Sequence, residues 1–349
     1  MKKTQVAIIC GGRSSEHEIS CLSAGGVLSG LDKEKFEATL IGITKSGSWV
    51  LLPNDYPLVI IDGQLPTVDE KATPLVADVH GFSVGGNALA VDVVFPVLHG
   101  PYGEDGTIQG FFETAGVPYV GSGVMASATA MDKSFSKIVF SAAGMNVASG
   151  VVVTRLDWKA KSADLVYPVF VKPARGGSSR GTSKVKSANE LAAALEDAFA
   201  FDRKVMIEEA IVGREIECAV LEKDGEVTAS VVGEIVIDDK YEFYDFEAKY
   251  LDDATTVNVP ASIPAAASDE IRAKAVQAFK ALGCSGLARV DFFYSDAGDV
   301  VINEINTMPG FTGTSMYPKL MASSGIEFRD LIAALIETAL TRSNGVLGN

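Results

Sequence analysis

Short apolar runs bounded by glycines recur along the chain, and between them lie stretches whose apolar positions return every three or four residues. The runs predict buried strands, the longer stretches predict amphipathic helices, and their alternation predicts an α/β class. Residues 6–10 (VAIIC) read as a strand, 11–15 as a loop, 16–31 as a helix and 38–44 as the next strand. Residues 51–90 are rich in Pro, Asp and Gly and lack a clear period, so they read as an insertion with short strands. A buried strand over 91–98 delivers His99 and Gly100 to a loop. A helix follows over 107–115, and 118–121 lead out of a first domain, 1–121, built on a parallel sheet.

Residues 123–142 read as helical, with Asp132 and Lys133 exposed among small residues. A strand over 169–173 runs into a loop over 174–181, then come a helix over 189–200 and a strand over 204–209. These make a second domain, 122–209. The third, 210–349, has strands near 215–222 and 227–237, a polar aromatic segment at 239–252 and a helix over 268–282. Two strands follow, at 286–291 and 300–306, with a closing helix near 328–341. No internal repeat or low-complexity tract interrupts this order.

Composition narrows the class. A chain of 349 residues, 47% hydrophobic, can bury several cores. No apolar run reaches the ~18 residues of a membrane span, and the apolar run after Met1 is too short for a signal peptide. Cys10, Cys21, Cys218 and Cys284 are scattered without a Cys-x-x-Cys pair, which suits buried free thiols in a reducing cytosol. His17, His80 and His99 lack zinc-ligand spacing. A formal charge of −15 disfavours nucleic acid, but a nucleotide needs only a few local lysines, arginines and Mg²⁺.

The candidate chemistry sits mainly at strand ends. Glu304 and Asn306 are two apart on a strand, so both side chains leave from one face. A carboxylate beside an amide oxygen makes the hard oxygen site that Mg²⁺ prefers when it also holds phosphates. Arg289 and Asp291 repeat the spacing on the preceding strand. Lys172 ends a buried strand before the loop Arg175-Gly176-Gly177-Ser178-Ser179-Arg180-Gly181, whose exposed N–H groups can wrap phosphate; a solvated turn is the plainer alternative. Glu208 and Glu215 flank a strand-to-linker junction whose backbone can meet a purine edge and whose Glu215 can reach a ribose hydroxyl, although an acidic surface explains them equally. Glu16 opens a helix, either as a grip for an ammonium or as a complement to the helix dipole. The aromatic segment over 241–250 reads as a closing lid or a surface hairpin.

Taken in order, Gly11–Ser20, His99-Gly100-Pro101-Tyr102-Gly103-Glu104-Asp105-Gly106, 121–133, 171–181, Phe246-Glu247-Ala248-Lys249-Tyr250, 286–291 and 303–310 resemble the ATP-grasp superfamily. Within it they resemble the D-alanine–D-alanine ligase family. The resemblance implies a three-domain ATP-grasp fold with an N-terminal Rossmann-like domain, and ATP bound between the second and third domains. It implies that one D-alanine attacks the γ-phosphate to give an acyl phosphate, and that the amine of a second displaces phosphate. By that resemblance Asp291, Glu304 and Asn306 hold two Mg²⁺ (or Mn²⁺) ions, and Lys133, Lys172 and Lys249 contact the ATP phosphates. Glu208, Ile211 and Glu215 hold adenine and ribose, while Arg289 and the Gly310 N–H stabilise the oxyanion. Glu16 binds the first ammonium, Ser178 and Tyr250 link to it when the lid closes, and His99 lies near the first substrate.

Ser315 and Met316 belong to the pocket that separates subtypes. Sibling ligases join D-serine or D-lactate. An intact Glu247-Ala248-Lys249-Tyr250 lid and an apolar Met316 suit a methyl side chain, and the methionine offers a hydroxyl no partner. The family also implies a cytoplasmic homodimer that acts on small molecules, without nucleic acid or membrane.

Overall fold

The computed structural model describes residues 2–237 and 255–342. Its first sheet has the order β4-β3-β2-β1-β8. Strand β1 (Thr4–Gly11) lies between β2 (Phe36–Ile43) and β8 (Val93–Pro96), parallel to both, with α1 (His17–Gly30) following β1. Alternate residues of a strand face opposite sides, and here both sides are covered. Val6, Ile8 and Cys10 pack with Cys21, Ala24 and Val27 of α1, whereas Ala7 and Ile9 pack with Phe112 of α2 (Thr107–Ala115). A strand buried on both faces must read as a continuous apolar run.

Antiparallel β3 (Trp49–Leu52) and β4 (Thr73–Pro74) extend this sheet. The strands β5 (Val76–Asp78), β6 (Gly81–Val84) and β7 (Asn87–Ala88) form a small sheet of their own, in keeping with the insertion expected there. At Gly11 the backbone turns with φ +88°, and a Cβ would lie 2.3 Å from the Ile43 carbonyl, so glycine is required.

The stretch read as one helix over 123–142 is two: α3 (Val124–Met131) and α4 (Lys133–Ala142). Asp132 breaks it. Its carboxylate accepts from the N–H groups of Ser134 and Phe135 (3.1 and 3.4 Å), a side-chain N-cap. Asp132 is 5% exposed and pairs with Lys204 at 2.8 Å, which corrects the expectation of an exposed Asp132-Lys133. The cap wins over the continuing small-residue pattern because an ion pair from a distant strand end holds the aspartate in place.

The second sheet is antiparallel, in the order β11-β10-β12-β9. It comprises β9 (Gly150–Val153), β10 (Val169–Pro173), β11 (Ser183–Val185) and β12 (Val205–Glu209). The short α5 (Trp158–Lys161) lies against β9, and α6 (Ala188–Phe199) buries Leu191, Leu195 and Phe199 against the sheet.

The third sheet, also antiparallel, has the order β15-β14-β13-β16-β17. Its strands are β13 (Arg214–Lys223), β14 (Glu226–Ile237), β15 (Thr255–Asn258), β16 (Leu287–Tyr294) and β17 (Val300–Asn306). Helix α7 (Ala265–Ala281) covers one face, where Ile271, Ala275 and Phe279 meet Ile216, Cys218 and Val220. On the other face Ala219 and Leu221 join α8 (Met316–Ser323) and α9 (Phe328–Thr341), and this core continues without a break into that of β1 and α1. Helix α8 is absent from the sequence reading, which took Met316 only as a pocket residue.

Phe279 is 1% exposed in the core under α7. Phe279→Ala is expected to lower the unfolding free energy by about 3–5 kcal/mol, measured by denaturant titration. A loss below about 1 kcal/mol would contradict this packing.

Candidate active site

The three sheets enclose a cavity of about 990 Å³. It is lined by Glu16 and His99 from the first sheet's side, by Lys172, Ser178 and Glu208 from the second, by Arg289, Asp291, Glu304 and Asn306 from the third, and by Lys133 at the start of α4. Ile211, Glu215, Gly310, Ser315 and Met316 also line it. Every described residue to which the family resemblance assigns a role therefore lines this one cavity. Lys249 and Tyr250, with the rest of the 239–252 lid, lie outside the described residues.

Glu16 ends the loop after β1, at the N-cap position of α1, and makes no side-chain capping bond. It turns instead to Ser178, whose Oγ donates to Glu16 Oε1 at 2.5 Å. Two glycines make room for this carboxylate. A Cβ at Gly100 would lie 2.4 Å from Glu16 Oε2, and one at Gly177 would lie 2.8 Å from it. The glycine-rich loop reaches Glu16 through left-handed backbone at Ser178 and Ser179 (φ +54° and +55°), a conformation that costs energy outside glycine. At the loop's base, Arg175 grips Asp202 with its backbone N–H and its guanidinium (2.6–3.1 Å). The stretch from Arg175 to Ser178 is thus held at each end, while Arg175 and Arg180 themselves are exposed.

Lys133 opens α4. Its Nζ donates to the Gly176 carbonyl at 2.7 Å and pairs with Glu304 Oε2 at 3.1 Å. Burial alone would lower its pKa, but the Glu304 carboxylate beside it raises it. One turn further along α4, Lys137 pairs with Glu208 Oε1 at 2.5 Å, while Lys172 takes Glu208 Oε2 at 2.7 Å. Glu208 is 4% exposed; burial opposes its charge, yet the two lysines hold its pKa below the usual carboxylate range. Lys137 is pushed down to about 8 by burial and by Lys172. Sequence reasoning missed Lys137. The available signal was its four-residue spacing from Lys133, which places both on one helix face.

On the third sheet Asp291 and Glu304 are cross-strand partners, as are Arg289 and Asn306. The Arg289 guanidinium is folded onto Asp291 through two bonds (2.8 and 2.7 Å), and its Nε lies 3.1 Å from Glu217. Although burial opposes it, the Asp291 charge drives the Arg289 pKa well up. Glu217 was another residue the sequence reading did not single out. It belongs to a strand with alternating polarity and becomes significant only through its place opposite Asp291.

Glu104 is half-buried near Glu16, and its desolvation together with that neighbouring charge lifts its pKa to about 8. Burial lowers the pKa of His99, so the imidazole is neutral. Met316 is the first residue of α8 and packs over Gly233, where a Cβ would lie 3.0 Å from its sulfur. Ser315 Oγ accepts from the Thr312 N–H at 3.1 Å, and Gly310 approaches that hydroxyl so closely that a Cβ would lie 2.8 Å from it.

Comparison with known proteins places this arrangement. Residues 5–122 match the family described as D-ala D-ala ligase N-terminus, and residues 139–337 match D-ala D-ala ligase C-terminus. The D-alanine–D-alanine ligase of Mycolicibacterium smegmatis is 53% identical over 365 residues, covering 99% of this chain and 97% of that one. That of Mycobacterium leprae is 50% identical over 368 residues, covering 99% and 96%. Among solved structures, the VanG D-Ala:D-Ser ligase from Enterococcus faecalis superposes with a TM-score of 0.86 at 40% identity, covering 97% of this chain and all (100%) of that one. The D-alanine-D-alanine ligase from Coxiella burnetii gives 0.84 at 33% identity, covering 97% and 94%. With both halves of the family pattern matched and relatives half identical along its length, the chain belongs to the D-alanine–D-alanine ligase family.

Proposed function

We propose that the protein joins two D-alanines to D-alanyl-D-alanine at the expense of ATP, supplying a peptidoglycan precursor. The observation that carries this reading is the convergence of Glu16, Lys133, Lys172, Arg289, Asp291 and Glu304 on one cavity in a chain of this family. ATP is the co-substrate of the family. Its adenine would lie against the backbone from Glu208 to Ile211, with Glu215 on the ribose, between segments 122–209 and 210–349. The remaining segment, 1–121, would carry the first D-alanine.

In this reading Glu16 holds the first ammonium, and Arg289 with the Gly310 N–H faces the oxygen that becomes the oxyanion. Lys133 and Lys172 neutralise phosphate charge, and Lys249 would join them. Tyr250 would complete the link from Ser178 to Glu16 as the lid closes. Phosphoryl transfer of this kind depends on positioning and charge neutralisation, and exclusion of water protects an acyl phosphate.

Asp291, Glu304 and Asn306 offer hard oxygens on adjacent strands, which suits Mg²⁺ or Mn²⁺. The carboxylates already draw positive charge, since Arg289 and Lys133 sit on them. Divalent ions held there would neutralise the nucleotide's phosphates. Lys133 and Arg289 would then be free to turn toward nucleotide and substrate. The apolar Met316 favours D-alanine as second substrate over D-serine. Among the described residues no helix is long and apolar enough to cross a membrane, and we place the enzyme in the cytoplasm as a homodimer.

The direct test is phosphate release from Mg-ATP with D-alanine alone and with D-serine or D-lactate added, products being identified by mass. Dialanine is expected to dominate. A mixed product would overturn the second-substrate reading, and no D-alanine-dependent release would overturn the function.

Arg289→Ala is expected to lower kcat by roughly 10²–10³-fold, the effect of losing an oxyanion donor, with ATP affinity changed less than about threefold in calorimetry. Unchanged turnover would sink the assignment.

Lys137 carries its charge below about pH 8 and loses it above. Lys137 does not line the cavity but neutralises Glu208, which does, so the screening of Glu208 beside the nucleotide is present at neutral pH and fades as pH rises through that value. We expect kcat/KM for ATP, which reports the free enzyme, to fall across this range. In Lys137→Arg the fall should be shallower, since arginine stays charged. A pH profile identical to that of the unaltered enzyme would remove Lys137 from nucleotide binding.

A further inference from the structure

Residues 308–311 leave β17 and carry the Gly310 amide, yet their backbone is held by the first sheet's side of the molecule. The Met308 carbonyl is bonded by His99 Nδ1 at 3.0 Å, and the Met308 N–H is shared by Asn306 Oδ1 at 3.1 Å and Glu104 Oε1 at 3.3 Å. The Phe311 N–H donates to Ser23 Oγ at 3.2 Å, and the same Oγ lies 2.9 Å from His99 Nε2. Gly26 brings the backbone of α1 so close that a Cβ there would lie 2.0 Å from the Phe311 carbonyl. The Phe311 ring is fully buried between Phe95 and Tyr317, with centroids 5.7 Å from each.

One proton arrangement satisfies all three groups. A backbone N–H only donates, so Ser23 Oγ accepts from Phe311; a carbonyl only accepts, so the one proton of a neutral His99 faces Met308, and Nε2 is left to accept from Ser23 Oγ. His99 then carries its proton on Nδ1, which donates to the Met308 carbonyl. The hydroxyl and the imidazole thus tie the two flanks of Gly310 together, and both are buried, with Ser23 at 0% exposure and His99 at 6%. Ser23 is seven residues after Glu16, two helical turns along the same face of α1.

We infer that Ser23 is a positioning residue for the oxyanion-binding amide of Gly310, acting through His99 and Phe311, so that α1 fixes where that amide lies relative to the Glu16 carboxylate. This rests on the ligase reading above. Ser23 touches no reacting atom. Its loss lets the 308–311 backbone relax and misplaces a donor whose outright removal costs roughly 10²–10³-fold in rate.

The test compares Ser23→Ala and Ser23→Cys with the unaltered enzyme. Cysteine fills the same space with a weakly bonding thiol, which preserves packing should the alanine variant fail to fold. In both, kcat is expected to fall by about tenfold to a hundredfold, with KM for ATP within about twofold of its original value. Affinity for a phosphinate mimic of the tetrahedral intermediate should fall by the same factor as kcat. Adding His99→Gln to Ser23→Ala should cost little more than either change alone, as expected for groups in one network. A folded variant that keeps its kcat would overturn the inference, as would a kcat loss matched by an equal loss of ATP affinity. If the unaltered enzyme makes no dialanine, the ligase reading itself fails, which is a separate outcome.

Discussion

A chain with a net charge of −15 gathers several of its carboxylates into one partly buried cleft, and the organisation of that cleft follows from neutralising them. Glu208 lies between Lys137 and Lys172, Glu304 against Lys133, and Asp291 with Glu217 against Arg289. Buried ion pairs of this sort add little net stability, because desolvation offsets attraction, but removing one partner is costly. Their value is functional. In the reading proposed above, they hold lysines and an arginine close together where a polyanionic nucleotide would be received.

That charge balance needs contributions from three sheets, and the packing supplies them through one helix. On its inner face α1 shares a continuous core with α8 and α9, which themselves cover the third sheet. Its N-cap residue presents a carboxylate, Glu16, to the glycine-rich loop, and its second turn presents Ser23 to the segment after β17. A shift of α1 would therefore disturb the Glu16 carboxylate and the Gly310 amide together. Glycines at positions 26, 100 and 177 permit this convergence, because a Cβ at any of them would collide with the group it faces.

Much of the site was legible because its residues come in short local patterns. The two-residue spacing of Glu304 and Asn306 predicted a shared face, and β17 is a strand over Val300–Asn306. The helix Thr107–Ala115 and the strand Val169–Pro173 follow from apolar periods closed by glycine or proline. Where the pattern ran on past a long-range contact, the reading failed. Nothing between 123 and 142 signals that Lys204 will hold Asp132 as a cap and split the helix. Helix α8 begins after a Gly-Thr-Ser segment and contains Pro318 in its first turn, where proline is tolerated, so it offered too short a period to register.

By itself the sequence determined the α/β class, the order of most elements and the residue types able to bind a Mg-nucleotide and an amino acid, because these depend on periodicity and chemistry within a few positions. Only the tertiary structure decided which charges meet. Lys137 and Ser23 are a lysine and a serine on unremarkable helices until Glu208, 71 positions on, and Phe311, 288 positions on, are packed against them. Side-chain pKa values and hydrogen-bond direction depend on burial and on neighbours brought together by folding, and no local pattern in the chain encodes those neighbours.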